Sequence, residues 1–353
     1  MTSKVIYFYS CFNNYELLIN ENYEFLLDNR EKIIIIDDHS APAQLSKGRE
    51  FCEQHGIRFV LNKYKGLQMG IHYLFSEICP AVDWLVCMQQ DTKFFGGNNS
   101  ILHLEERLKS VTQQSSEIGA IGFQNYLEGS HYHEDRSISS AFNKLQTWLG
   151  VFFLSKTQPS LPSDVMIKLY SMMAQSSFVV KCTRKFRHKI IFNRNFAPLT
   201  YIKFNRVAPK CRGLVSIPLP VWAVIAINRE AWVASVQPDR QFIFHLWFPD
   251  VAMQMMSKNF HVCLDTTVHV LNQVKIKEKY GQLGSVEEGR KQRVTKMERY
   301  GSHLRNFEKK WGFDYEWVYP MSEKIKSRYK GTLIAKHLEN NPDNGPIKVF
   351  FRD

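Results

Sequence analysis

Between Val165 and Arg229 the chain has no aspartate or glutamate. Twelve cations stand in that run, from Lys168 to Arg229, and they equal the net charge of +12 left by 46 Lys+Arg against 34 Asp+Glu. The positive excess therefore belongs to one segment, and the rest of the chain is balanced. Long apolar runs are missing too. The longest uncharged one, Ile217 to Ile227, carries Pro218 and Pro220 and falls well short of the roughly 20 residues a membrane-spanning helix needs. No transmembrane helix is expected. Seven scattered cysteines, with no CxxC pair, give neither a disulfide framework nor a zinc spacing and read as reduced thiols. Neither GxGxxG nor GxxxxGK[ST] occurs, so a dinucleotide fingerprint and a P-loop are both excluded. Lys4 precedes the apolar run Val5 to Phe12, but that run ends in Asn13 and Asn14 without a small-residue cleavage site. It reads as a first core strand, and the chain as cytoplasmic.

What is present is alternation. "KVIYFYS", "KIIIIDD", "IRFVL", "WLVCM" and "IGAIGF" are short apolar runs of strand type. Between them lie "YELLINENYEFLLDN", a segment Leu45 to His55 closed by Gly56, and two stretches whose apolar residues fall on one helical face. These are Leu67, Ile71, Leu74, Ile78 and then Ile101, Leu104, Leu108, Val111. Period-2 runs alternating with period-3.6 runs predict an α/β fold, a mostly parallel sheet with helices on both faces. The rhythm breaks near Gly129 and resumes at "LPVWAVIAINREAW". Residues 1–128 and 217–275 thus form the two halves of one α/β domain, 129–216 a basic insertion, and 276–353 a helical extension. A short helix is expected from Asp250, then the strand "HVCLDTTVHV" ending at His269, then a long helix. That last helix has Ser285 and Glu288 in capping-box spacing, a stripe of Met297, Tyr300, Leu304, Phe307 and Trp311, and Gly312 to stop it. The tail beyond about Asn340 is expected to be poorly ordered.

Polar residues cluster at strand ends, where open α/β sheets bind ligands. Asp37, Asp38 and Ser40 close the second strand, either accepting hydrogen bonds from a base or ribose or capping a turn. Asn62, Lys65 and Gly66 lie between a strand and a helix start, where Lys65 would meet a phosphate. Gln89, Gln90 and Asp91 end "WLVCMQQD". Asp91 suits Mg2+ or Mn2+, which are held by one or two carboxylates together with substrate phosphates, or else lies in a surface turn. Asp250 is either a helix cap or a general base. "SHYHED", His131 to Asp135, has metal-ligand residue types but opens the insertion.

In this order the motifs resemble the family-2 glycosyltransferases of the GT-A (Rossmann-like) fold, over about Lys4 to His269 outside the insertion and on into the last helix. The acidic motif after the second strand is similar to Asp37-Asp38-His39-Ser40. The metal motif, in a form like that of rhamnosyltransferases, is similar to Met88-Gln89-Gln90-Asp91-Thr92, with Gln89 where an aspartate is usual. The base motif is similar to Pro249-Asp250-Val251-Ala252, and "RNFEKKWG" to the family's Lys-Trp-Gly ending. The resemblance implies inverting transfer of a sugar, with a deoxyhexose favoured, from a nucleoside diphosphate sugar. Asp37, Asp38, Ser40, Asn62, Lys65, Gln89 and Gln90 would bind the donor, and Asp91 with His269 a divalent Mn2+ or Mg2+. Asp250 would be the base, and Trp222 and Arg229 would meet the acceptor.

The basic insertion bears on that acceptor. Its Lys and Arg are interleaved with Phe186, Phe192, Phe196, Tyr201 and Phe204, a composition able to rest on an anionic membrane surface at about 1 kcal/mol per cation. A glycan or lipid-linked glycan acceptor is expected from it. Nucleic acid would suit the same charge, but no helix-turn-helix, RRM, KH or zinc-finger pattern is present. A solvated basic subdomain or a dimer contact is the plain alternative.

Overall fold

A computed structural model describes residues 4–94, 98–127, 213–218, 223–243, 246–272, 301–313, 323–339 and 347–351. Within them β1 (Val5–Cys11), α1 (Tyr15–Asp28), β2 (Ile33–Asp37), α2 (Pro42–His55), β3 (Arg58–Leu61), α3 (Leu67–Tyr73) and β4 (Trp84–Met88) follow in strict alternation. After them come β5 (Thr92–Phe94), α4 (Asn98–Gln114), β6 (Ile118–Leu127), β7 (Leu214–Ser216), β8 (Val224–Asn228), α5 (Arg229–Ser235), α6 (Trp247–Ser257) and β9 (His261–Asn272). Residues 301–311 form α7, followed by α8 (Glu323–Arg328), α9 (Leu333–Glu339) and β10 (Val349–Phe351).

The strands join one sheet in the order β10-β7-β9-β6-β8-β4-β1-β2-β3, with β5 paired to β9 off this path. The α/β architecture expected from the sequence is therefore present, and the sheet is mixed. Strands β3, β2, β1 and β4 are mutually parallel, whereas β8 runs antiparallel to both β4 and β6. Burial on both faces explains the near-continuous apolar sequences of the central strands. All five residues of β2 are buried, as are all five of β4. Successive side chains alternate sides. Phe8, Ile34, Ile36, Leu85 and Cys87 meet α3, α5, α6 and the C-terminal helices, while Tyr7, Tyr9, Ile35, Val86 and Met88 meet α1, α2 and α4. A charge at Ile35, which is 0% exposed, would have no partner and would cost several kcal/mol.

Local signals account for most boundaries. Gly56, at φ 67°, closes α2 as expected, and Pro42 opens it three residues ahead of Leu45. Asn22 breaks the helical geometry inside α1 (φ −121°, ψ 16°). Its side chain is tied into the core instead, donating to the Gln90 carbonyl at 2.9 Å and accepting from the Tyr9 hydroxyl at 3.3 Å.

Several expectations need correction. The sheet resumes at Leu214, inside the segment assigned to the insertion, because β7 pairs with β9. The helix expected from Asp250 starts at Trp247, with Leu246 at its N-cap position at φ 58°. His269 does not end its strand, since β9 continues to Asn272. Within the C-terminal tail, residues 347–351 are ordered against the sheet. Strand β10 pairs with β7, the Phe350 ring packs edge-on to His261, and Lys348 pairs with Glu117. The remainder of the basic insertion, the "SHYHED" cluster, Trp222, and Ser285, Met297 and Tyr300 of the last helix lie outside the described residues. Among the described residues no helix is long and apolar enough to cross a membrane.

Candidate functional site

Because β1 to β4 are parallel, their C-terminal ends share one edge. In-register pairs Cys11 with Asp37, Asp37 with Leu61, and Tyr9 with Met88 carry the turns Phe12–Asn14, Asp38–Ser40, Asn62–Gly66 and Gln89–Asp91 to that edge. The antiparallel β8 contributes its beginning, with Gln89 N donating to Ala223 O at 3.2 Å. Its far end leads away. Asn228 pairs with Trp84 at the start of β4, and Arg229 N donates to Asp83 O. Arg229 thus lies at the opposite edge of the sheet, which corrects its assignment to the acceptor.

The two aspartates at the end of β2, Asp37 and Asp38, are buried, at 1% and 2% exposure, and each organises a loop. Asp37 accepts from the Tyr15 hydroxyl at 2.6 Å and from Ser40 N at 3.0 Å. Ser40 Oγ in turn accepts from Asn13 N at 2.7 Å, and Asn13 Oδ1 accepts from Ala41 N at 2.9 Å. Asn13 and Asn14 are both left-handed, a conformation asparagine tolerates better than most residues. Asp38 Oδ1 accepts from Asn62 Nδ2 at 2.7 Å and from Gly66 N at 2.9 Å. Both are charge-assisted bonds that pull the β3–α3 loop onto β2. Gly66 is needed there: its φ is 103°, and a Cβ would stand 3.2 Å from the Ile243 backbone. Burial raises the Tyr15 hydroxyl far above its ordinary range, with Cys11 and Asp37 adding to the effect, so Tyr15 stays a donor to Asp37.

Outside these loops stands a basic, aromatic rim. Lys65 is exposed, with its ammonium 5.8 Å from the ring of the half-exposed Phe12. Arg240 and Lys63 lie 5.5 Å and 5.6 Å from the Tyr64 ring. Phe12 offers a flat face and Lys65 and Arg240 offer cations, a combination able to take a base and phosphates.

Asp91, 2% exposed, sits at the turn between β4 and β5. The turn is tight, with Thr92 donating to Gln89 O through N at 3.1 Å and through Oγ1 at 2.7 Å. Gln90 is pinned from both sides, by Asn22 on its carbonyl and through its own Nε2 to Asn13 O at 3.2 Å. Strand register sets His269 three rungs, about 10 Å, from Asn272, the partner of Thr92. Among the described residues no group of three or more His, Cys, Asp and Glu has metal-site geometry. One buried carboxylate fits a divalent ion that arrives with a diphosphate and takes most of its ligands from phosphate and water.

Asp250 lies in the first turn of α6 and is 0% exposed. Its Oδ2 accepts from Gln254 Nε2 at 2.8 Å and Gln68 Nε2 at 3.2 Å. Its Oδ1 accepts from the Trp311 indole N–H at 2.9 Å and lies 2.8 Å from the Lys310 ammonium. A carboxylate has about four lone-pair sites, and here each has a partner. Gln68 ties this carboxylate to the edge of strand ends, since it stands two residues past Gly66 in the first turn of α3, whose Leu67 N donates to Ile243 O. The helix-cap role suggested by its position is not the one it plays, because the N-cap position is Leu246, four residues earlier, and makes no side-chain cap bond.

The parallel strand ends bring together Asp37, Asp38, Ser40, Asn62, Lys65, Gln89, Gln90 and Asp91, with Asp250 behind Gln68. Phe12, Asn13, Gln68 and Arg240 were missed by the sequence reading. Phe12-Asn13-Asn14 at the end of β1 was a detectable signal, being a polar stop like those after β2 and β4. Gln68 and Arg240 left none.

No protein family matches the sequence, and no curated protein matches it either. Among solved structures the chain is similar to GalNAc-T7, crystallised with UDP, GalNAc and Mn2+, at a TM-score of 0.44 and 10% identity over 93% of this chain and 58% of that one. It is also similar to a cytidylyltransferase from Leptospira borgpetersenii serovar Hardjo-bovis, at a TM-score of 0.24 and 12% identity over 34% of this chain and 53% of that one. The chain thus spans little more than half the length of either.

Proposed function

We propose that this protein transfers a sugar, with inversion, from a nucleoside diphosphate sugar to a hydroxyl of a glycan or lipid-linked glycan. The observation that carries the reading is the convergence of four parallel strand ends. Asp38 holds the Asn62–Gly66 loop, Asp91 is buried at the turn after β4 on the same edge, and Gln68, two residues past Gly66, donates to Asp250. This arrangement fits the family-2, GT-A reading of the sequence. The base of the nucleotide stacks at Phe12 near Asp37 and Ser40, and the diphosphate lies toward Lys65 and Arg240. Asp91 holds the divalent ion that comes with the diphosphate, and that ion, when bound, offsets charge growing on the leaving group. His269 is retained as a second ligand from the resemblance. Asp250 receives the proton of the acceptor hydroxyl as its oxygen attacks the anomeric carbon. Trp222 is proposed on the acceptor side from the resemblance. The acid-free, Phe-rich run that begins at Val165 in the insertion supports an acceptor linked to lipid and approached at an anionic membrane surface.

A second reading is favoured by one observation. Asp250 is wholly buried with four partners, as in a scaffold that binds nucleotide without turnover. Thermal melts with UDP, GDP, dTDP, CDP and CMP, each with and without Mn2+ or Mg2+, test nucleotide binding. One diphosphate should raise the melting temperature, more so with metal, and Asp91→Asn should remove only the metal-dependent part. No response from the folded protein would refute both readings; binding without release of nucleotide from any nucleotide sugar would favour the second.

A further inference from the structure

The four groups around Asp250 are not equally fixed. Gln68 is 1% exposed, and besides Asp250 its Nε2 donates to Trp247 O at 3.0 Å while its Oε1 accepts from Asp239 N at 2.8 Å. Gln254 is 7% exposed and makes a reciprocal pair with the backbone of Gln237, at 2.7 and 3.2 Å. Trp311 is buried against Phe307, and its carbonyl accepts from the Tyr329 hydroxyl. These three are locked by bonds of their own. Lys310 differs. Its side chain is 32% exposed, it is borne on a flexible stem, and its ammonium donates to a second carboxylate, Asp239 Oδ2, at 2.9 Å. Asp239 is itself held, with Oδ1 accepting from Gln241 N at 2.9 Å. The rings of Phe242 and Trp311 lie 5.4 and 5.6 Å from the same ammonium.

Resting on the transfer reaction proposed above, we infer that Lys310 is a positioning residue whose ammonium holds, at Asp250 Oδ1, the place that the acceptor hydroxyl takes. When the acceptor enters, the ammonium shifts wholly onto Asp239 and keeps an ion pair there, while the buried Asp250 carboxylate gives up its cation and is held by neutral donors alone. Asp250 loses one donor and gains another, the hydroxyl. Gln68, Gln254 and Trp311 keep the carboxylate aimed throughout. In the step that follows, the acceptor O–H bond breaks and its proton passes to Asp250 Oδ1. The freed electron pair forms the bond to the anomeric carbon, and the bond from that carbon to the diphosphate oxygen breaks with its pair left on the diphosphate. With no acceptor bound, Lys310 keeps water from the base and so limits wasteful hydrolysis of the donor. The C-terminal helix would then be part of the acceptor site rather than only a brace.

The test is release of nucleoside diphosphate into water from UDP-glucose, UDP-N-acetylglucosamine, GDP-mannose and dTDP-rhamnose, with Mn2+, by the full chain and its variants. Lys310→Met keeps the stem and removes the charge, which opens Oδ1 to water. It should hydrolyse the accepted donor about tenfold faster than the unchanged protein, a fraction of what a freed general base can supply. Lys310→Arg should stay near the unchanged rate. Lys310→Met combined with Asp250→Asn should fall to background. Asp239→Asn removes the refuge of the ammonium and should slow hydrolysis, a direction opposite to Lys310→Met that a purely structural pin would not produce. If Lys310→Met is no faster than the unchanged protein, Lys310 is only a pin and the transfer reaction stands. Should Lys310→Met fail to fold, an unchanged or raised rate in Asp239→Asn overturns the inference equally. If no form of the folded protein releases diphosphate from any donor, the transfer reading falls and this inference with it.

Discussion

Replacing Trp311 with Phe removes one N–H from Asp250 while leaving a ring in place, and its cost can be worked from the contacts. The indole N–H donates to Oδ1 at 2.9 Å, the carboxylate is 0% exposed, and Trp311 itself is 8% exposed. A hydrogen bond to a charged group contributes about 1.5–3 kcal/mol. The smaller ring gives up roughly 40 Å2 of buried apolar surface, or about 1 kcal/mol at the usual transfer coefficient. Trp311→Phe should therefore destabilise by about 3 kcal/mol. In an Asp250→Asn background the charge assistance is absent, so the same change should cost only about 2 kcal/mol. The difference, a coupling of about 1 kcal/mol, is within the range expected of residues in contact. Urea unfolding of the four proteins, read at constant m, measures it. Costs equal to within about 0.5 kcal/mol in the two backgrounds would mean that packing alone holds Trp311, and the link between the last helix and Asp250 would be refuted.

Gly66→Ala forces a side chain to φ 103° and against the Ile243 backbone; a loss of about 2 kcal/mol is expected, together with weaker stabilisation by nucleotide, and thermal melts showing neither would reject the role given to this loop. Burial, helped by the charge of Lys348 and opposed by Glu117, holds the His261 pKa down to about 4, and burial with His261 nearby holds His337 at about 3. The unfolded chain takes up these protons near pH 6.5 and the folded one does not, so their contribution is complete above that pH. It is lost as pH falls from about 6.5 toward 4 and then 3. In His261→Gln the decline of the urea midpoint between pH 6.5 and 4 should be shallower, and an unchanged slope would refute the assignment.

Sequence periodicity sufficed for the alternation of strands and helices, since it records which side chains face a core. "IIIID" and "WLVCM" are apolar throughout because both faces of β2 and β4 are covered. Gly56 as a cap, and the stripe Leu304, Phe307, Trp311, were legible for the same local reasons. The polar stops after β2 and β4 pointed correctly to one edge, because parallel strands deliver their ends together. Pairing direction is another matter. It depends on which distant strand supplies the hydrogen bonds, and the antiparallel β8 sends Arg229 to the wrong edge for the acceptor role it had been given. The last strand was invisible for a similar reason, as three residues gain stability only by pairing with β7. Asp250 shows the limit most clearly. Its sequence neighbourhood suggested a cap or a general base, while its partners Gln68 and Trp311 stand 182 and 61 residues away. Sequence alone chose the architecture and the edge where the polar strand ends gather; only tertiary contacts, which bring together groups far apart in the chain, decided what each carboxylate there can touch.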